Sequence, residues 1–370
     1  MVKTTVSIII IAGGAVATVI IAWTIASFFT TTQGNLKSSF YGKQLPANGS
    51  SSSLLLIQKI PITNVNGRID HMAVDITGNQ KLLFVAEIEN NSLNVIDLNS
   101  AKRIHTIDNG LLSEPQGVIF VPRYGRIFVS NGQDGSVDIF DVKSFNLDKR
   151  VQLPSADADN MRYDSRNGLV YVGYGQGGLG VINTIDGSFV GNIKLTGHPE
   201  SFQIEQGTNK PAAGVHDRIF VNVPDSNSVV VVNWNRKATW SISNAQNNFP
   251  MALDESHHRL FIGTRDPPKL ITFDTDSGKM VSSIDIAQDP DDIFYDALNK
   301  RIYVSCGEGF INVIQQRDAD NYILIGSIPT AKDARTSLFV PELSRFYLAV
   351  PQQGNQESEL RVYKVADIVR

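Results

Sequence analysis

A short apolar run with an aromatic at its centre recurs seven times along this chain. The copies are Leu82-Leu83-Phe84-Val85, Arg126-Ile127-Phe128-Val129, Leu169-Val170-Tyr171-Val172, Arg218-Ile219-Phe220-Val221, Arg259-Leu260-Phe261-Ile262, Arg301-Ile302-Tyr303-Val304 and Arg345-Phe346-Tyr347-Leu348. Their aromatics stand 44, 43, 49, 41, 42 and 44 residues apart. A unit of 40–45 residues with strand-like patterning is the mark of a β-propeller, in which each unit builds one blade of about four strands. No stretch after residue 53 carries a helical period.

Each unit has the same internal grammar. An opening strand ends near an Asp, as in Met72-Ala73-Val74-Asp75 or Met251-Ala252-Leu253-Asp254. The aromatic strand follows a turn. A polar loop leads to a third strand of alternating character, such as Ser136–Asp141, and turns such as Ile185-Asp186-Gly187-Ser188 lead to a fourth. The Gly and Asn of such turns accept positive φ at little cost. Residues 63–370 number 308, seven times 44, and the last unit ends at its third strand, Leu360–Val365. An unassigned strand, Leu54–Ile60, precedes the first unit. It fits as the missing outer strand of the seventh blade, which closes the ring and leaves no broad edge unpaired. The expected fold is therefore an all-β, seven-bladed propeller of four-stranded blades over residues 54–370. The 49-residue spacing marks an insertion at Gln206–Asp217, on the face away from the mouth.

The first 53 residues are of another kind. Val6–Phe29 contains no charge and few polar side chains. About 20 apolar residues suffice to span a bilayer as a helix, whereas the apolar part of a secretory signal is about 7–15 residues. Residues 1–29 are read as an N-terminal transmembrane helix, with a cleaved signal segment as the alternative. Lys3 and the N-terminal amine sit at its first end, while the other end runs polar and uncharged to Lys37. That asymmetry favours an N-terminus inside and a propeller outside the cytoplasm. Residues 30–53, closing on Asn48-Gly49-Ser50-Ser51-Ser52-Ser53, have the composition of a flexible linker.

Charge and cysteine content exclude several functions. Residues 54–370 hold 30 Lys and Arg against 37 Asp and Glu, a net −7, with no basic run. Nucleic acid is therefore not an expected partner, because phosphate affinity rests on clustered Lys and Arg. The single cysteine, Cys306, excludes an intramolecular disulfide and any multi-cysteine metal site. The glycines of Gly173–Gly180 join two strands and open no helix, so they are not a phosphate loop.

The repeat resembles the YVTN-repeat or YncE-like family of seven-bladed propellers, whose unit reads roughly Arg-Ile-Tyr-Val-x-Asn, then Val-x-Val-Ile-Asp and a Gly turn. The best matches are Arg126–Asn131 with Ser136–Asp141, and Leu82–Ala86 with Asn94-Val95-Ile96-Asp97. The resemblance implies the fold and an extracytoplasmic setting; it specifies no activity.

Propeller geometry collects residues far apart in sequence. The first strand of every blade lines the central channel, and the loops leading into those strands share one face with the loops between second and third strands. The leading loops supply Asp70, His71, Gln116, Asp159, Asn160, His198, Glu200, Asn248, Asp291, Asp292 and Arg335. The second-to-third loops add Glu87, Asn131, Tyr174, Arg265 and Glu308. The expected mouth is acidic, with two arginines. On one reading the carboxylates cap backbone N–H groups or pair with Arg265 and Arg335. On the other they hold a metal or a cationic or hydroxylated ligand; oxygen-rich sites suit Ca²⁺ or Mg²⁺. Similarity to gluconolactonase-like propellers would give the metal to Asp70, Asn160, Glu200 and Asp291. Asp70 and His71 are sequence neighbours, so strict strand alternation would send their side chains to opposite sides. Cys306 has only His71 as an imaginable base. The leading function is a ligand-binding or protein-interaction module, with a metal-dependent lactonase-like hydrolase and a structural cell-envelope protein as alternatives.

Overall fold

The computed structural model describes residues 53–108, 110–175, 177–206, 218–233 and 236–366. The apolar segment Val6–Phe29, the linker, Trp234, His216 and most of the Gln206–Asp217 insertion lie outside the described residues. Among the described residues no helix is long and apolar enough to cross a membrane.

Seven antiparallel four-stranded sheets form the propeller. Blade 1 runs Ile69–Asp75, Leu82–Glu87, Ser92–Asp97 and Lys102–Ile107, in that order from the channel outward. The next five blades repeat this simple meander. In blade 7, Ser337–Val340, Arg345–Val350 and Ser358–Val365 are joined on the outside by Leu54–Ile62, which pairs antiparallel with Ser358–Val365.

The repeated motif has two physical roles. Its aromatic fills the interface with the following blade: Phe84 packs with Ile127 and Val129 of blade 2, Phe128 with Val170 and Val172 of blade 3, and Tyr303 with Phe346 of blade 7. Seven apolar clusters, one between each pair of neighbouring blades, make up the core. A sheet buries both faces this way, so its second and third strands are apolar almost throughout. In four of the five motifs that carry it, the arginine is an inter-blade clasp, whereas Arg345 bonds Leu343 O and Ser344 O of its own blade. Arg126 donates to the carbonyls of Thr184 and Ile185 in blade 3, Arg259 to Ala319 O and Asp320 in blade 6, and Arg301 to Ala366 O beyond blade 7's third strand.

Candidate functional site

The mouth begins with an irregularity repeated around the ring. In five of the seven inner strands the pairing to the second strand slips near its start: between Ile69 and Met72, Pro115 and Val118, Ala158 and Met161, Asn248 and Met251, and Pro290 and Asp292. An extra residue in one strand breaks the alternation of side chains and re-aims them. The consequence is that sequence neighbours face the same space. Asp70 and His71, Asp159 and Asn160, and Asp291 and Asp292 all line one cavity of about 40 Å³. The expectation that Asp70 and His71 diverge is corrected: His71 Nδ1 lies 3.5 Å from Asp70 Oδ1 and 4.0 Å from Asp159 Oδ1. Below the cavity, the channel widens to about 530 Å³ between the inner strands.

Electrostatics separate the carboxylates. Burial opposes the charge on Asp70, but His71 and the Arg68 guanidinium, 3.1 Å from Oδ1, outweigh it and hold its pKa at about 2. Burial likewise opposes a charge on His71, yet Asp70, Asp159 and Asp292 raise its pKa to about 9. Asp159 and Asp292 are both raised to about 7, chiefly by burial, and further by the charges of Asp70 and Asp291 respectively. The Asp292 carboxylate also accepts the backbone N–H of Ser337 at 2.6 Å. Glu200 is raised by burial. His198 is fixed by its Nδ1, 2.6 Å from Gly175 O and 3.1 Å from Asp157, which leaves Nε2 for a ligand. Despite partial burial, these partners raise its pKa to about 9.

The predicted arginines form a network on one side of the mouth. Arg265 bonds Asp291 and, at 3.0 Å, Asp289; Arg335 bonds Asp289 and, at 3.2 Å, Asp291. Arg265 also lies 3.7 Å above the Phe249 ring. Asp291 is thus committed to guanidinium groups. Asn160 is committed too: its amide donates to Glu200 O, and its Oδ1 accepts from Arg162. Of the four candidate ligands suggested by gluconolactonase-like propellers, Asp70 is the one with a buried, unpartnered oxygen, Oδ2.

Other candidates serve the blades. Glu87 is bonded by Ser92 and Asn94, and Asn131 bonds Ser136 and Asp138. Glu308 caps the Gln288 N–H, and Gln116 lies against the Gly132 turn. Cys306 is fully buried, with Val304 O and Asn312 as its near polar neighbours, and burial pushes its thiol up. That environment does not make a nucleophile. Trp240 packs between Phe220 and Phe273.

Sequence reasoning missed Arg68, Asp157, Arg162 and Asp289. Each stands close in sequence to a predicted site residue, and Asp289-Pro290-Asp291-Asp292 is a local concentration of acid. Gly117 was also unforeseen. A Cβ there would lie 2.3 Å from Asp159 O, so only glycine lets blade 2 approach the site this closely. Ser130 donates to the same carbonyl at 2.6 Å and pins Asp159 in place.

No family model matches the sequence, and no curated protein matches it. Solved structures do match the fold. A chain of the crystal structure of the mitotic checkpoint complex superposes with a TM-score of 0.69 at 13% identity, covering 95% of this chain and 99% of that one. Kuenenia stuttgartiensis hydrazine synthase gives 0.65 at 14%, covering 81% and 97%. At such identities the likeness is one of fold.

Proposed function

We propose that this chain is a membrane-anchored propeller, displayed outside the cytoplasm, that binds a ligand or partner protein by a cationic group at its acidic mouth. The observation that carries this reading is a concave, carboxylate-lined site in which two buried carboxylate oxygens accept no hydrogen bond. Among the described residues, Asp70, Asp159, Glu200, Asp289, Asp291 and Asp292 surround it, with Arg68, Arg162, Arg265, Arg335 and the raised-pKa His71 and His198 as their cationic neighbours. Asp70 Oδ2 and Asp159 Oδ1 are buried and accept no hydrogen bond. Buried carboxylate oxygens that accept no hydrogen bond favour a positive occupant. The repeat grammar supports an extracytoplasmic YncE-like protein, and propellers commonly serve as interaction modules, which suits a partner docking on this face.

The anchor and the mouth are tested separately. Full-length chain is expected in the membrane fraction, and a version beginning at Ser51 in the soluble fraction. Intact full-length protein in the soluble fraction would overturn the anchor. For the mouth, a fluorescent oligolysine peptide is titrated into the full-length, detergent-solubilised protein with a chelator present. Saturable, salt-sensitive binding is expected, at least about tenfold weaker in Glu200→Gln with Asp292→Asn, while an oligoglutamate peptide does not bind. Equal binding by wild type and variant would show that the peptide reads the general acidic surface instead.

A further inference from the structure

We infer that Asp70, His71 and Asp159 form a binding site for a divalent transition-metal cation at the channel mouth. The inference rests on the cationic-occupant reading above and gives that occupant a chemical class. One ligand atom from each of the three residues lies within 4.8 Å of the others. What separates this group from an ordinary acidic cluster is that each residue keeps a buried polar atom with no hydrogen-bond partner: Asp70 Oδ2, His71 Nδ1 and Asp159 Oδ1. Asp70 is 2% exposed and Asp159 is 8% exposed. Buried polar atoms are nearly always hydrogen-bonded, and here His71 Nδ1 reaches Asp70 Oδ1 and Asp159 Oδ1 only at 3.5 and 4.0 Å, so the three residues lining this small cavity point to a shared partner that draws them together. A metal ion that displaces the imidazolium proton of His71 accepts electron pairs from the two carboxylates and the imidazole together.

The surroundings resemble the supporting shell of a metal centre. Arg68 engages Asp70 Oδ1, while Oδ2 is buried without a hydrogen bond. The Asp159 backbone is clamped by Ser130 and packed against Gly117. Such outer contacts orient ligands. A second triad, Asp159, His198 and Glu200, shares Asp159 and lies on the more open side. His198 has its Nδ1 occupied by a backbone carbonyl and a carboxylate, the usual way of directing Nε2 toward a cation. Ligand type fixes the class. Ca²⁺ and Mg²⁺ take oxygen ligands, whereas an imidazole with carboxylates suits zinc, manganese, cobalt or iron. Ligands around tetrahedral zinc stand roughly 3.4 Å apart, given metal–ligand bonds of about 2.0–2.2 Å. Side-chain movement of about an ångström closes the triad to that spacing. Three protein ligands leave a further coordination position for water or a ligand group.

The test uses full-length, detergent-solubilised protein stripped with a chelator and titrated with Zn²⁺ and Co²⁺ by calorimetry. One tight equivalent is expected, bound at least about a hundredfold more strongly than Ca²⁺ or Mg²⁺. His71→Asn and Asp159→Asn should each weaken it at least about tenfold with the fold retained, and Glu308→Gln should leave it unchanged. Zinc-edge X-ray absorption on the wild type gives a readout independent of any variant: imidazole scattering with oxygen neighbours is expected. An all-oxygen shell, unchanged affinity in folded His71→Asn, or no tight equivalent overturns the site. If Zn²⁺ fails while oligolysine still binds at the mouth, the metal inference falls and the module reading stands. If Zn²⁺ binds and oligolysine does not, the reverse holds for the peptide-type occupant.

Discussion

Deleting Leu54–Ile62 is expected to unfold the propeller, although the segment lies outside all seven repeated motifs. Leu54, Ile60 and Ile62 are 2%, 2% and 0% exposed and belong to the interfaces of blade 7 with its two neighbours. Full burial of such a side chain stabilises by roughly 1.5–3 kcal/mol, so the three together contribute about 5–9 kcal/mol. Total stabilities are about 5–15 kcal/mol. Deletion also exposes the Ser358–Val365 edge, whose unpaired N–H and C=O groups invite pairing with another chain. Leu55, Leu56 and Ile57 of the same strand point outward and are exposed. Changing those three to Ser should leave the melting temperature nearly unchanged, whereas Ile60→Ala with Ile62→Ala should lower it strongly. Circular dichroism melts of the three proteins decide the matter. An unaltered melt after deletion would mean that the ring does not depend on this pairing.

The contrast between outward Leu55–Ile57 and inward Ile60 and Ile62 shows where sequence stops informing. The ring was legible because the same aromatic strand recurs seven times and one repeat predicts the next. The acidic mouth was legible for the same reason: inner-strand starts fall at fixed offsets from the motif, and Asp70, Asp159, Glu200 and Asp291 stand there. What lay hidden was direction. Strict alternation separates Asp70 from His71, and the bulge that reunites them involves no Gly or Pro between Ile69 and Met72 to announce it. Pairings across blades were hidden as well. Nothing near Arg335 in sequence reveals Asp289, 46 residues earlier, as its partner. Gly117 could be read only once Asp159 O was known to lie against it.

The folded chain is expected to be most stable on the acid side of neutrality and to lose stability steadily toward pH 9. Glu87 sets the clearest part of this dependence. It is 1% exposed, and burial raises its pKa from an ordinary 4.5 to about 7, despite hydrogen bonds from Ser92 and Asn94. A carboxyl raised on folding binds its proton more tightly in the native state. Its contribution is fully present below the unfolded value near 4.5 and is lost as pH rises through 7. The shift corresponds to about 3 kcal/mol. Asp159 and Asp292, raised to about 7, act in the same direction. His71, raised from 6.5 to about 9, contributes stability below 6.5 that disappears by pH 9. Asp70 acts oppositely: lowered to about 2, it stabilises above 3.8 and is lost only as pH falls toward 2. The maximum therefore falls at about pH 4–5. Glu87→Gln keeps an acceptor for Asn94 and offers a donor to Ser92, and it removes the buried charge. It should match wild type near pH 5 and exceed it by about 3 kcal/mol at pH 9, worth several degrees in melting temperature. Asp292→Asn should flatten the same limb. The melts require a chelator, because a cation at the mouth would stabilise the deprotonated form by mass action. A profile flat from pH 5 to 9, or a Glu87→Gln protein less stable than wild type at pH 9, would show that Glu87 is ionised at no cost in the native blade.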